Sequence, residues 1–130
     1  MRPLTEKLPK PLLPFLNTPI VSYALDHLQA AGIERVGINT HHLADSVPPV
    51  VNKICAQFGL DPAYGREWEI LGTAGGIRGI WEALGEPQGT LVVLNGDSIM
   101  NIDLAEHVEA HRQRGSAATL VVRPKDDDQP

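Results

Sequence analysis

Thr90-Leu91-Val92-Val93-Leu94 runs directly into Asn95-Gly96-Asp97. An apolar, β-branched run of this length, closed by a turn, suits a buried strand and is too short for a helix. A carboxylate just past such a strand stands at a sheet edge. In parallel α/β sheets, ligands bind beyond the carboxyl ends of strands, in loops that lead into helices.

Outward from this run, strand-like and helix-like segments alternate. Downstream, Asp103 and Glu106 have capping-box spacing, with Asp in place of Ser or Thr, for a helix ending at Gly115. Ala117–Val122 reads as a further strand, stopped by Pro124. Upstream, Ala74–Leu84 is expected to be a helix and Glu67–Leu71 a strand. Leu43–Phe58 is a helical region, broken near Pro48-Pro49 and ended by Gly59. Arg35–Asn39 is a short strand. Ile20, Ala24 and Leu28 recur at i+4 on one apolar face of a helix that Thr18-Pro19 opens and Gly32 stops. The first 16 residues contain Pro3, Pro9, Pro11 and Pro14 and read as an extended loop. The alternation implies a largely parallel α/β sheet.

The bulk numbers narrow the function. A chain of 130 residues can bury a core, and 42% hydrophobic with 21% charged residues is a globular composition. A net charge of −5 without a basic cluster argues against nucleic-acid partners. No apolar run approaches the length of a membrane helix, about 20 residues. No signal-peptide pattern follows Met1, and the single cysteine, Cys55, forbids an intrachain disulfide. The expected compartment is the cytoplasm.

Three segments carry chemistry. In Pro9-Lys10-Pro11-Leu12-Leu13-Pro14 the two prolines stiffen the backbone around a lysine. A cation held in place can stabilise the charge of phosphates in transfer. A solvated loop lysine is the plainer alternative. In Leu71-Gly72-Thr73-Ala74-Gly75-Gly76-Ile77 small residues let a ligand approach the backbone at the start of a helix, whose free N–H groups favour an anion or a polar base edge. A tight strand-to-helix turn would need the same glycines. The spacing is neither a Walker loop nor the dinucleotide fingerprint. In Asn95-Gly96-Asp97 the carboxylate could hold magnesium, which takes one or two carboxylates plus phosphate oxygens; it could also be a turn residue. His107 and His111 are four apart on the last helix, but Val108 stands where a metalloprotease has Glu, so a solvated face fits better. His41-His42 follows the first strand and reads as loop surface or a helix entry. Cys55 lies on an apolar helix face and reads as a core filler.

Taken together these segments resemble the sugar-1-phosphate nucleotidyltransferases, the enzymes that make nucleotide sugars. That family reads Gly-x-Gly-Thr-Arg-Leu/Met-Arg-Pro-Leu-Thr, then Pro-Lys-Pro-Leu-Leu-Pro. Arg2 through Pro14 matches the second half of this signature, Asn17-Thr18-Pro19-Ile20 its next stretch, and Ala31-Gly32-Ile33 the end of its first helix. Glu67 through Gly76 resembles the base-binding segment of mannose-1-phosphate guanylyltransferases, and Asn95-Gly96-Asp97 the metal-binding turn. The resemblance implies a Rossmann-like parallel sheet with helices on both faces, residues 1–130 forming one incomplete domain. It implies that Lys10 is catalytic and contacts the phosphates with Arg2. It further implies that Glu67 and Gly72 lie near base and ribose, and that Asp97 ligates Mg2+. The substrates implied are a nucleoside triphosphate and a sugar 1-phosphate, without membrane or nucleic acid; homo-oligomerisation is left open.

The Gly-x-Gly-Thr-Arg loop and the family's second metal-binding aspartate are not among the 130 residues. Ancestry is therefore better assigned than activity. A catalytically incomplete nucleotide-binding or regulatory module is the alternative. A glycosyltransferase fits less well, because Asn95-Gly96-Asp97 lacks the first carboxylate of an Asp-x-Asp turn. Guanine with mannose is the favoured pair, with uracil and an amino sugar or muramic acid next.

Overall fold

The computed structural model describes residues 3–122. Its core is a parallel pair of strands, Arg35–Thr40 (β3) and Asp61–Arg66 (β4), in register from Arg35 opposite Asp61 to Thr40 opposite Arg66. They are numbered after a small antiparallel hairpin, Pro14–Phe15 (β1) with Thr18–Pro19 (β2). The hairpin turns on Leu16 and Asn17, both at positive φ, 49° and 64°. That is the sign the tight primed hairpin turns require. Thr18-Pro19 is thus used in a strand, and helix α1 begins later, as Val21–Ala30. The proline-rich start is likewise structured: Leu4–Glu6 and Lys10–Leu12 are 3-10 turns.

Helix α2, Val47–Phe58, crosses from β3 to β4 after a 3-10 turn at Ala44–Ser46. Pro48 and Pro49 do not break it. They lie in its first turn, where a missing N–H has no helical acceptor to lose. Gly59, at φ 70°, ends it as expected. Helix α3 spans Gly72–Ala83 and helix α4 Leu104–Arg114. Asp103 caps α4 by accepting a hydrogen bond at Oδ1 from the Glu106 N–H, 3.0 Å away, and Gly115 closes it.

Alternate residues of β3 serve opposite faces. Val36 and Ile38 join Val47, Val51, Ile54 and Cys55 of α2, Val21 and Leu25 of α1, and Leu12 and Leu60 in one apolar cluster. Val51 and Cys55 are 0% exposed. On the other face α3 lies so close that a Cβ on Gly37 would run into Ile80, and one on Gly65 would sit 2.9 Å from the same side chain. The parallel pair therefore carries helices on both faces, as the α/β reading requires.

Three expected strands are absent. Glu67–Leu71 is a loop, because the ladder occupies the six residues before it. Thr90–Leu94 and Ala117–Val122 form no ladder. A strand is defined by the neighbour that takes its N–H and C=O groups, and among the described residues neither run has one. Thr90–Leu94 and β3 instead both line a cavity of about 1430 Å³. Among the described residues no helix is long and apolar enough to cross a membrane.

Candidate functional site

Because β3 and β4 are parallel, both deliver their carboxyl ends to one edge. The segment after β3 is tied to the segment after β4 there. Glu67 N–H donates to the Thr40 carbonyl at 2.8 Å. Thr40 Oγ1 donates to the Gly65 carbonyl at 3.0 Å. His41 Nδ1, facing a carbonyl, donates to Glu67 O at 3.0 Å. Asn39 Nδ2 donates to Glu67 Oε1 at 3.1 Å.

The N-terminal segment is anchored to the same edge. His42 Nε2 lies 3.0 Å from the Thr5 carbonyl, which holds the first 3-10 turn beside the end of β3. Lys10 opens the second turn, flanked by Pro9 and Pro11. The Leu12 N–H closes on the Pro9 carbonyl at 2.9 Å, and Leu12 itself is buried in the apolar cluster. The lysine stem therefore leaves a backbone that is pinned on both sides. Its Nζ meets Asp97 Oδ2 at 2.6 Å, with the two side chains 47% and 33% exposed. Gly96 packs near Pro11 and Val21, bringing the Asn95-Gly96-Asp97 turn against this loop.

The structure thus brings Lys10 and Asp97 into direct contact. Lys10, Glu67 and Gly72 line the same cavity, together with Thr73, Asn95 and Gly96. Gly72, at φ 72°, occupies the left-handed region that a side chain adopts only at a cost of about 1–2 kcal/mol. The loop between Glu67 and α3 consequently requires glycine there for its backbone alone. Arg2 lies outside the described residues.

Sequence reading passed over Asn39 and Thr40 and took His41-His42 for loop surface or a helix entry; all four hold the loops together. Their place at the end of the first internal strand is a usable signal, since strand ends in parallel sheets carry binding residues. The other candidates resolve blandly. His107 Nδ1 faces the Asp103 carbonyl at 2.7 Å and His111 Nδ1 the Thr119 hydroxyl at 2.9 Å, on an exposed helix. Cys55 is buried, and desolvation pushes its thiol up from the ordinary value, so it stays protonated and unreactive at neutral pH.

A resident metal would need a cage, and among the described residues no group of three or more His, Cys, Asp or Glu side chains could form one. Asp97 alone suits a cation that brings its other ligands with it. Magnesium bound chiefly by phosphate oxygens and water is of that kind.

Comparison with known proteins follows the same line. A family model described as nucleotidyl transferase matches residues 1–130. The chain is 33% identical over 132 residues to a UTP–glucose-1-phosphate uridylyltransferase of Synechocystis, covering 95% of this chain and 34% of that protein. It is 32% identical over 127 residues to a mannose-1-phosphate guanyltransferase of Aspergillus oryzae, covering 98% and 35%. It is 33% identical over 122 residues to the catalytic subunit beta of a Xenopus tropicalis mannose-1-phosphate guanylyltransferase, covering 94% and 34%. The chain spans about a third of the length of these relatives.

Proposed function

The chain belongs to the nucleotidyl transferase family, and from that premise we propose that its cavity takes a nucleoside triphosphate for transfer of a nucleoside monophosphate to a sugar 1-phosphate. The observation that carries the reading is the contact of Lys10 with Asp97, with Lys10, Glu67 and Gly72 lining one cavity. A cation and a lone carboxylate in contact suit a polyphosphate and its metal. Gly72 leaves the backbone bare for a ribose or base edge, and Glu67 offers acceptors to base N–H groups.

In the proposed reaction an oxygen of the sugar 1-phosphate attacks the α-phosphorus. The new O–P bond forms as the bond to the bridging oxygen breaks, and pyrophosphate leaves with that electron pair. Lys10 holds phosphate oxygens and offsets their growing charge, which is most of what a protein contributes to such a transfer. Asp97 would hold magnesium, which neutralises phosphate charge when bound. For that, Lys10 exchanges its carboxylate partner for phosphate.

A second reading, nucleotide binding without turnover, is favoured by Asp97 being the one carboxylate in contact with Lys10 among the described residues. Calorimetry of the purified chain with GTP and with UTP, each with magnesium, tests both. Weak magnesium-dependent binding is expected, reduced about tenfold in Lys10→Ala, the size of one charge-assisted contact. No binding of either nucleotide at millimolar concentration sinks the proposal. Vigorous pyrophosphate release by the chain removes the second reading.

A further inference from the structure

We propose that Asn39 is a positioning residue for the nucleotide site, acting through Glu67; the inference rests on the nucleotide-binding reading above. Asn39 is the penultimate residue of β3, opposite Gly65 of β4. Its amide reaches across the edge and donates to Glu67 Oε1 at 3.1 Å. The orientation of the amide follows from chemistry, because a carboxylate accepts and only the Nδ2 side can donate to it.

Three further contacts restrain the pair. The backbone of Glu67 is held at its N–H by the Thr40 carbonyl and at its carbonyl by His41 Nδ1. Helix α3 covers the pair through Gly76, which is buried. A Cβ there would stand 2.6 Å from Asn39 Nδ2 and 2.9 Å from Glu67 Oε1. A glycine at this point lets the helix start, with Gly72 and Thr73, approach the carboxylate. Asn39 engages one of the two carboxylate oxygens, and both residues line the cavity. A carboxylate presented in one orientation loses less side-chain freedom when it accepts from a ligand.

The inference assigns Asn39 to the base and ribose end of a nucleotide, away from its phosphates. The Lys10–Asp97 pair involves neither residue. The test is calorimetry of the whole chain with magnesium and GTP, magnesium and UTP, and inorganic tripolyphosphate as the probe of the phosphate end. The variants are Asn39→Ala, the isosteric Asn39→Asp, Glu67→Ala and the Asn39→Ala/Glu67→Ala double.

Asn39→Ala is expected to weaken the better-bound nucleotide about tenfold, the loss of one hydrogen bond to a charged group. Tripolyphosphate binding is expected to stay within twofold, roughly the error of such a comparison, and the double variant to bind no worse than Glu67→Ala alone. Asn39→Asp sets two carboxylates against each other and should weaken nucleotide at least as much. The melting temperature should stay within about 4 °C of the parent, since an exposed hydrogen bond contributes little stability.

Unchanged nucleotide affinity in Asn39→Ala overturns the inference. So do additive losses in the double variant, which would mean that Asn39 acts independently of Glu67. Parallel loss of nucleotide and tripolyphosphate with a lowered melting temperature also overturns it, by making the role structural. A parent chain that binds no nucleotide refutes the underlying reading and this inference with it. A parent that binds while Asn39→Ala is silent refutes this inference alone.

Discussion

Val36 and Ile38 in β3, and Val92 and Leu94 further along, belong to runs that look alike in sequence. Both are short and carry β-branched residues, and each places apolar side chains two apart; in the second run Leu91 and Val93 are 40% and 52% exposed while Val92 and Leu94 are half-buried. Their fates differ. β3 has β4 along one edge, α1 and α2 over one face and α3 over the other. Residues 90–94 have no ladder partner among the described residues, and Leu120 and Val122 beyond them are more than three-quarters exposed. An apolar alternating run states a preference for extended backbone. The neighbour that accepts its hydrogen bonds must come from elsewhere in the chain.

The widest difference between the two regions should appear in amide hydrogen exchange. Amides bonded within the β3–β4 ladder are expected to open only on global unfolding, with free energies of about 5 kcal/mol or more, and residues 91–94 at about 0–1 kcal/mol. Equal protection of the two runs, read by NMR or mass spectrometry, would break the comparison.

Side-chain truncation gives the next largest contrast. Leu25 is 3% exposed inside the apolar cluster and Leu120 is 84% exposed. Leu25→Ala is expected to cost about 2–5 kcal/mol in urea unfolding. Leu120→Ala should stay within about 0.5 kcal/mol of the parent. A loss at Leu120 comparable to that at Leu25 would mean that residues 117–122 are packed in solution.

The smallest expected effect is alkaline. Burial pushes the Cys55 thiol above its ordinary 9.0. Burial first, and the Cys55 charge second, push the Tyr64 phenol above its ordinary 10.0. Each group is held neutral in the folded chain more strongly than in the unfolded one. Their contribution is complete below the unfolded values and fades as pH rises past them toward the folded values. Unfolding free energy should therefore fall above pH 9.0, and less steeply in Cys55→Ala. An identical slope in that variant would place the titration outside the packed half.

Legibility in the sequence follows the range of each cause. The cap at Asp103 and Glu106 and the stops at Gly59 and Gly115 were readable, because each is settled within one helical turn. Pro48-Pro49 was misread as a break because a proline pair gives the same local signal at a helix start. The Thr18-Pro19 signal was misread because the hairpin partner Pro14-Phe15 claims those residues. β4 was missed altogether. Asp61-Pro62-Ala63-Tyr64-Gly65-Arg66 has little strand preference, yet β3 offers it an edge, and Gly37 and Gly65 admit Ile80 above it. The candidate site divides the same way. Lys10, Gly72 and Asp97 announce themselves by proline, glycine and strand-end position. Asn39 and His41 do not, since their importance lies in reaching Glu67, 28 and 26 residues away.

By itself the sequence determined the α/β class, the cap at Asp103, the helix stops at Gly59 and Gly115, and the apolar stripes of α1 and α2. Those follow from backbone preferences and side-chain spacing over a few residues. The tertiary structure alone decided which extended run became a strand, which edge the loops share, and that Lys10 meets Asp97, 87 positions further along the chain. Pairing, close helix approach and charge contact depend on which distant segments arrive together, and no local preference encodes that.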